Sequence, residues 1–422
     1  MDLSVVNGGE RIVLDRTRQK SSSSQGEGDN KPGNAAKENF LSKAQSRCSD
    51  NLKDFVLSKE KQQGVLFLLS RSGAGKSTVL ATLCGELRND TTTSSDVVEV
   101  FSIFVGSSDA STSALRFVPA LIRCVLNLDG TGTGSSKAQH DDADQADIAE
   151  DAQRAAGDLA ALSAVLGRAA AWRQQKNWKL KGVDVNTKLI FVFDAVNELD
   201  ADDGSRALTW LPLQLGSTAS GAKNSSCVVV LSSIFVDQDV GGPSPDKDED
   251  PATAEAQVFR AVSQRWPEAG QVKLDPLEEK EDRERLFKAF FGQSGGGGGG
   301  DNEVGSPPKA LVERLVEKPD GGVPLFLRLA AFLCQRAVSL GKAEKDTATF
   351  DVPDRLPSLF DNVLKELTAE ADSTFKQKLQ TLLSMVFATE GGLTVLQLLQ
   401  LVCGQGDKTQ QDNMGKMLEG TT

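Results

Sequence analysis

Residues 64–80 read Gly-Val-Leu-Phe-Leu-Leu-Ser-Arg-Ser-Gly-Ala-Gly-Lys-Ser-Thr-Val-Leu, and this run constrains the chain more than any other. An apolar stretch, Val65–Leu69, reads as a buried strand. It runs into a glycine-rich turn, a Lys-Ser pair and the start of a helix, Lys76–Leu87. Each part suits the grip of phosphate groups. Gly73 and Gly75 let the backbone curl so that its N–H groups face inward, and Ser72, Ala74 and Thr78 complete the cradle. Lys76 places a cation on outer phosphates, the Ser77 hydroxyl is a Mg²⁺ ligand of the right hardness, and the helix offers its positive N-terminal end. Ser70 stands where the usual pattern begins with glycine, so a tighter or rearranged loop entry is expected.

A chain of 422 residues has room for two or three domains, and 39% hydrophobic with 25% charged residues is enough for packed cores beside polar segments. The net charge of −12 argues against nonspecific nucleic-acid binding as the main task. The six cysteines form no Cys-x-x-Cys pair and several lie in apolar stretches, which fits buried, reduced thiols. The single histidine, His140, sits in an acidic stretch, which speaks against multi-histidine metal sites and histidine-based catalysis. The N-terminus lacks a signal-peptide pattern. No apolar run reaches the ~20 residues of a membrane helix, since Ser232 and Ser233 interrupt one candidate and Arg328 and Arg336 another. A soluble, cytoplasmic protein is expected.

Residues 1–37 are rich in Ser, Gly, Asn and charge and are expected not to order themselves. A helix is expected within 38–57. A second strand follows at Val97–Val105, then a Ser-rich loop and a helix from Ala114. Residues 129–150 read as a solvated low-complexity insertion, and 151–176 as Ala-rich helix. Leu189–Phe193 and Cys227–Leu231 are further apolar strands, helix 252–265 follows, and a short strand surrounds Val272–Leu274. Strands alternating with helices imply an α/β fold with a parallel sheet covered on both faces. Such a nucleotide-binding core would span 38–293. A Gly-rich linker at 294–308 precedes helical segments, a helical domain at 309–380, and a last partial domain with a polar tail at 381–422.

A phosphate loop needs an acidic partner to hold the metal. Leu189–Phe193 is a strand that would deliver Asp194 rigidly to the Mg²⁺ edge. Ala195 leaves space beside the phosphates. Glu198, four residues on, is placed to orient or deprotonate an attacking water, or else is a solvated loop carboxylate. Ser232, at the end of the next apolar strand, is a candidate to sense the terminal phosphate. No Asn-Lys-x-Asp segment follows the Asp194 strand, so adenine rather than guanine is expected.

Several segments together resemble the NACHT-type, or STAND, P-loop ATPases of signal transduction, in the branch near nephrocystin-3, telomerase-associated protein and NACHT–WD-repeat proteins. Ser70–Thr78 looks like their phosphate loop. Phe104-Val105-Gly106-Ser107-Ser108-Asp109-Ala110-Ser111-Thr112 is similar to their F-V-G-x-S-x-x-S-T segment, and Asp194-Ala195-Val196-Asn197-Glu198-Leu199 to their second acidic motif. Val272–Leu277 resembles their last core strand with its Pro-Leu. Gly322-Val323-Pro324-Leu325 resembles their G-x-P-L segment, and Glu390–Thr394 the start of their winged-helix domain. The resemblance spans roughly residues 38–403.

It implies a P-loop NTPase sheet, a helical domain and the beginning of a winged helix. ATP and Mg²⁺ are the implied cofactors, with Pro324 against the base and the nucleotide between the sheet and helical domains. The implied role is an ATP-binding switch that works through protein partners, including copies of itself. Asn197 stands where many members carry an acid, which implies slow hydrolysis. The winged-helix histidine of many relatives has no counterpart, so ADP locking through that residue is not expected; no WD or tetratricopeptide repeat is seen, so a fragment, a truncated gene product or a stand-alone regulator is expected. Two other readings remain open from the residues: a rapid-turnover ATPase, and a nucleotide-independent scaffold with a vestigial fold.

Overall fold

The computed structural model describes residues 3–7, 10–16, 41–58, 63–89, 97–126, 143–175, 178–180, 183–185, 187–213, 215, 226–235, 253–293, 307, 309–339 and 352–369. The chain divides into two compact units. The first comprises Met1–Gly33, Cys48–Ser70 and Lys76–Lys273, the second Asn34–Arg47, Arg71–Gly75 and Leu274–Thr422.

In chain order the elements begin with β1 (Leu3–Asn7), β2 (Glu10–Arg16), α1 (Lys43–Leu57), β3 (Gln63–Ser70), α2 (Lys76–Asn89), β4 (Val97–Phe104), α3 (Asp109–Thr112) and α4 (Ala114–Leu126). There follow α5 (Ala143–Arg154), α6 (Leu159–Gln175), the small hairpin β5 (Trp178–Leu180) and β6 (Val183–Val185), β7 (Thr187–Asp194), β8 (Ser226–Ile234), α7 (Ala254–Arg265) and β9 (Gly270–Lys273). The last are α8 (Lys280–Gln293), α9 (Lys309–Val316), α10 (Pro324–Ser339) and α11 (Leu356–Ala369).

The first unit is built on a seven-stranded sheet of order β1-β2-β4-β7-β8-β3-β9. Strands β4, β7, β8, β3 and β9 are parallel, and β2 joins β4 antiparallel. Parallel strands lie under helices on both faces, so they are apolar along their whole length rather than alternating. Val65 to Leu69 in β3, Leu189 to Phe193 in β7 and Cys227 to Leu231 in β8 are accordingly all buried. Phe117 of α4 and Phe193 of β7 each meet the Trp210 ring edge to face, with centroids 5.0 Å apart. Such contacts contribute about 0.5–1.5 kcal/mol beyond the area they bury.

The first parallel strand in the chain, β3, lies between β8 and β9. The chain leaves it for β4, beyond β8 and β7 on one side, and β9 is added last on its other side; ligands of open α/β sheets sit beyond the carboxyl ends of strands at such a reversal. Ser70 ends β3, and the glycine-rich loop begins there. A parallel sheet in this order, with that loop between its first strand and the following helix, is the α/β fold of P-loop nucleoside-triphosphatases.

The second unit packs α8 to α11 around Leu277, Phe287, Phe291, Leu315, Phe326 and Leu359. Arg283 of α8 donates to the carbonyls of Leu277 (2.7 Å) and Val316 (2.8 Å), which satisfies the carboxyl end of α9. Pro324 opens α10, where its missing N–H has no helical partner to lose. Helix 280–293, read from the sequence as part of the nucleotide-binding core, belongs to this unit.

Two stretches differ from the sequence reading. Residues 3–7 and 10–16, inside a segment expected not to order itself, are paired strands, with Leu3 opposite Leu14 and Asn7 opposite Glu10. Val5, Val6, Ile12, Val13 and Leu14 have strand propensity that the polar composition of the whole segment averages away. Residues 143–150, read as the end of a solvated insertion, are the first turns of α5. Its Ile148 and Ala152, four apart, are buried. The expected linker at 294–306, the part of the expected helical domain beyond 369 and the winged-helix start at Glu390 lie outside the described residues. Among the described residues no helix is long and apolar enough to cross a membrane. Among the described residues Cys48, Cys84, Cys124, Cys227 and Cys334 are buried and form no disulfide.

Candidate phosphate-loop site

In the first unit the site is assembled by strand register. Phe193 pairs with Leu231, so the next residues, Asp194 and Ser232, lie side by side at the carboxyl edge. Asp194 is 3% exposed and Ser232 is fully buried. The Ser232 hydroxyl donates to Asp194 Oδ1 and accepts the Ala195 N–H at 2.9 Å. It thus orients the carboxylate and leaves Oδ2 for other work. Ala195 is left-handed, with φ 54° and ψ 45°. A residue with a Cβ disfavours that region by about 1–2 kcal/mol, and the sharp bend there starts the 3-10 turn Val196–Glu198. Asn197 ties the turn to β8, its Oδ1 accepting from the Ser233 hydroxyl (3.3 Å) and the Ile234 N–H (3.4 Å).

Lys76 is 8% exposed. Its Nζ donates to Ser70 Oγ at 3.1 Å and to the Ser70 carbonyl at 3.4 Å. Burial lowers its pKa, while the charges of Asp194 and Glu198 act in the opposite sense. The pKa of Glu198 is raised, chiefly by the protein mass around the carboxyl and further by Asp194, with Lys76 opposing. Glu198 is nevertheless an exposed residue. A carboxylate oxygen of Glu198 lies against Gly106, where a Cβ would come within 2.3 Å of it. Lys76, Asp194 and Glu198 thus form one electrostatic group, with Ser232 holding its central member. Ser77 and Thr78 follow Lys76 as exposed residues in the first turn of α2.

In the second unit the turn Arg71–Gly75 is shaped by its neighbours. Gly73 (φ +75°) accepts the Leu325 N–H at 3.2 Å, and a Cβ on it would meet Leu325 Cβ at 2.9 Å. Gly75 has φ +96°. Ala74 is buried and its carbonyl accepts from Gln45 Nε2 at 3.1 Å. Ser72 is exposed, and the buried Pro324 stands next to Leu325 at the start of α10.

The described residues contain no group of three or more His, Cys, Asp or Glu that could hold a metal by itself. A hydroxyl, Ser77, and the Oδ2 of Asp194 are hard oxygen donors, too few for a resident ion. They suit Mg²⁺, which brings phosphate oxygens and water as its remaining ligands. Gln45, the contact of Gly106 with Glu198 and the orienting role of Ser232 escaped the sequence reading. The one available signal was Ser42-Lys43-Ala44-Gln45, a helix-capping pattern.

No family model matches the chain, and no curated protein matches it. Among solved structures the chain is matched by the Aeropyrum pernix ORC2 protein in ADPNP and ADP complexes, at 12% identity and TM-score 0.39, covering 88% of this chain and 84% of that one. Domain III of the Thermotoga maritima replication initiation protein DnaA matches at 13% identity and TM-score 0.34, covering 72% of this chain and 88% of that one. The FIGL-1 AAA domain in complex with ADP matches at 13% identity and TM-score 0.36, covering 84% and 90%. The fold of this chain is read from its strand order and its loop, not from these likenesses.

Proposed function

We propose that the chain is an ATP-binding switch module of the NACHT or STAND type that acts through protein assembly and hydrolyses its nucleotide slowly. The observation that carries this reading is the grouping of Lys76, Asp194 and Glu198 at the carboxyl edge of a P-loop sheet. The segments around Gly106, Asp194 and Pro324 that resemble this family favour its branch over other P-loop proteins.

In this reading Lys76 binds the outer phosphates. Ser77 and Asp194 would hold Mg²⁺, which would neutralise phosphate charge. Glu198, whose raised pKa makes it a better proton acceptor, orients the attacking water. Slow turnover fits Asn197, an amide committed to β8 where an acid would act. The Ser70 contact with Lys76 favours a second reading, a scaffold whose lysine is held by the protein itself.

The test uses the full chain beside Lys76→Ala. Nucleotide released on denaturation is identified by chromatography, and phosphate release is followed with Mg²⁺·ATP. Adenine nucleotide with slow, Lys76-dependent turnover is expected. Absence of binding by the wild type would leave the scaffold, and fast turnover would make the chain a working ATPase.

A further inference from the structure

We infer that Gln45 is a positioning residue for the phosphate loop, its carboxamide fixing the Ala74–Gly75 peptide so that the Gly75 N–H is available to a phosphate. The inference rests on the nucleotide-binding reading above.

Gln45 is 4% exposed, and both ends of its amide are used. Oε1 accepts the Ser42 N–H at 3.0 Å, and Ser42 Oγ accepts the Gln45 N–H at 3.1 Å, a reciprocal cap on the start of α1. That cap needs only the oxygen of the carboxamide. The nitrogen reaches across 29 positions of sequence to the Ala74 carbonyl, at 3.1 Å. The orientation of the amide is unambiguous, because a backbone N–H faces one end and a carbonyl the other.

The consequence follows from peptide geometry. No peptide bond among the described residues is cis. In a trans peptide the C=O and N–H point in opposite directions. Holding the Ala74 carbonyl on Gln45 therefore turns the Gly75 N–H away from α1. Backbone N–H groups directed in this way are what a phosphate loop offers an anion. Gly75 is also the only residue type the contact admits, since a Cβ there would lie 2.3 Å from Gln45 Nε2. Its positive φ and the close approach of the carboxamide are two separate reasons for glycine at this position.

Gln45→Glu separates the two roles. It keeps an acceptor for the Ser42 N–H, so the cap survives, but sets an acceptor against the Ala74 carbonyl. Titration calorimetry of the full chain with Mg²⁺·ATP and with inorganic tripolyphosphate is the test, alongside Lys76→Ala and the donor-free, similarly sized Gln45→Met. Gln45→Glu is expected to bind both ligands about tenfold more weakly; because it sets a buried acceptor against a carbonyl its thermal midpoint is expected to fall, so affinities are measured well below each variant's midpoint. Gln45→Met serves if Gln45→Glu does not fold, and is expected to lose affinity in the same direction. Affinity within twofold of wild type in the folded variants, while Lys76→Ala abolishes binding, would overturn this inference alone. A wild type that binds neither ligand would overturn the nucleotide-binding reading and this inference together.

Discussion

The buried ion pair between Glu99 of β4 and Arg173 of α6 allows a quantitative test of how the first unit is held together. Arg173 Nε donates to Glu99 Oε2 at 2.7 Å and Nη2 to Oε1 at 2.5 Å, a two-pronged match of guanidinium to carboxylate. The side chains are 1% and 2% exposed. Removing one member of such a pair strands the other charge away from water and typically destabilises by about 3–5 kcal/mol, whereas replacing both by apolar residues of similar size is often neutral or stabilising. Arg173→Met and Glu99→Leu are therefore each expected to cost about 4 kcal/mol, a large share of the ~5–15 kcal/mol that typically holds a domain together. The double variant is expected to lie within about 1 kcal/mol of wild type. The four tryptophans, Trp172, Trp178, Trp210 and Trp266, all belong to the first unit, so urea unfolding followed by tryptophan fluorescence reports that unit. Single losses below about 1 kcal/mol, or a double loss equal to the sum of the singles, would refute the reasoning, because either result means that neither charge depends on the other.

Glu198→Gln tests the electrostatic group. A carboxyl whose pKa is raised on folding favours the fold below the unfolded pKa, and that contribution is lost as pH rises through the folded pKa. The variant is therefore expected to gain stability relative to wild type as pH rises from below the ordinary glutamate range to neutrality. Thermal midpoints across that range check it, and a flat difference would refute it. Ala195 tests the bend after Asp194. Ala195→Val, β-branched in a left-handed position, is expected to lose more than about 1 kcal/mol, while Ala195→Gly is expected to be neutral or to gain up to about 1 kcal/mol. Equal urea midpoints for the two would contradict the φ of 54°.

The P-loop core was legible from sequence because its signals are local. Val65–Leu69, Leu189–Phe193 and Cys227–Leu231 are unbroken apolar runs, which is what a strand covered on both faces requires. The glycines, Lys76 and Ser77 announce their chemistry by spacing, and Asp194 by its place at the end of such a run. Local averaging also misled, hiding β1 and β2 within a polar segment and the start of α5 within an acidic one. Tertiary structure alone decided the order β4-β7-β8-β3-β9, and with it which strand ends share an edge. Ser232 is at the carboxylate of Asp194 because Phe193 is in register with Leu231. Glu99 meets Arg173 across 74 positions and Gln45 meets Ala74 across 29. Periodicity and propensity act over a few neighbouring residues, so they can determine what each segment becomes. Partners at such separations are chosen by packing and register, which exist only once the chain has folded.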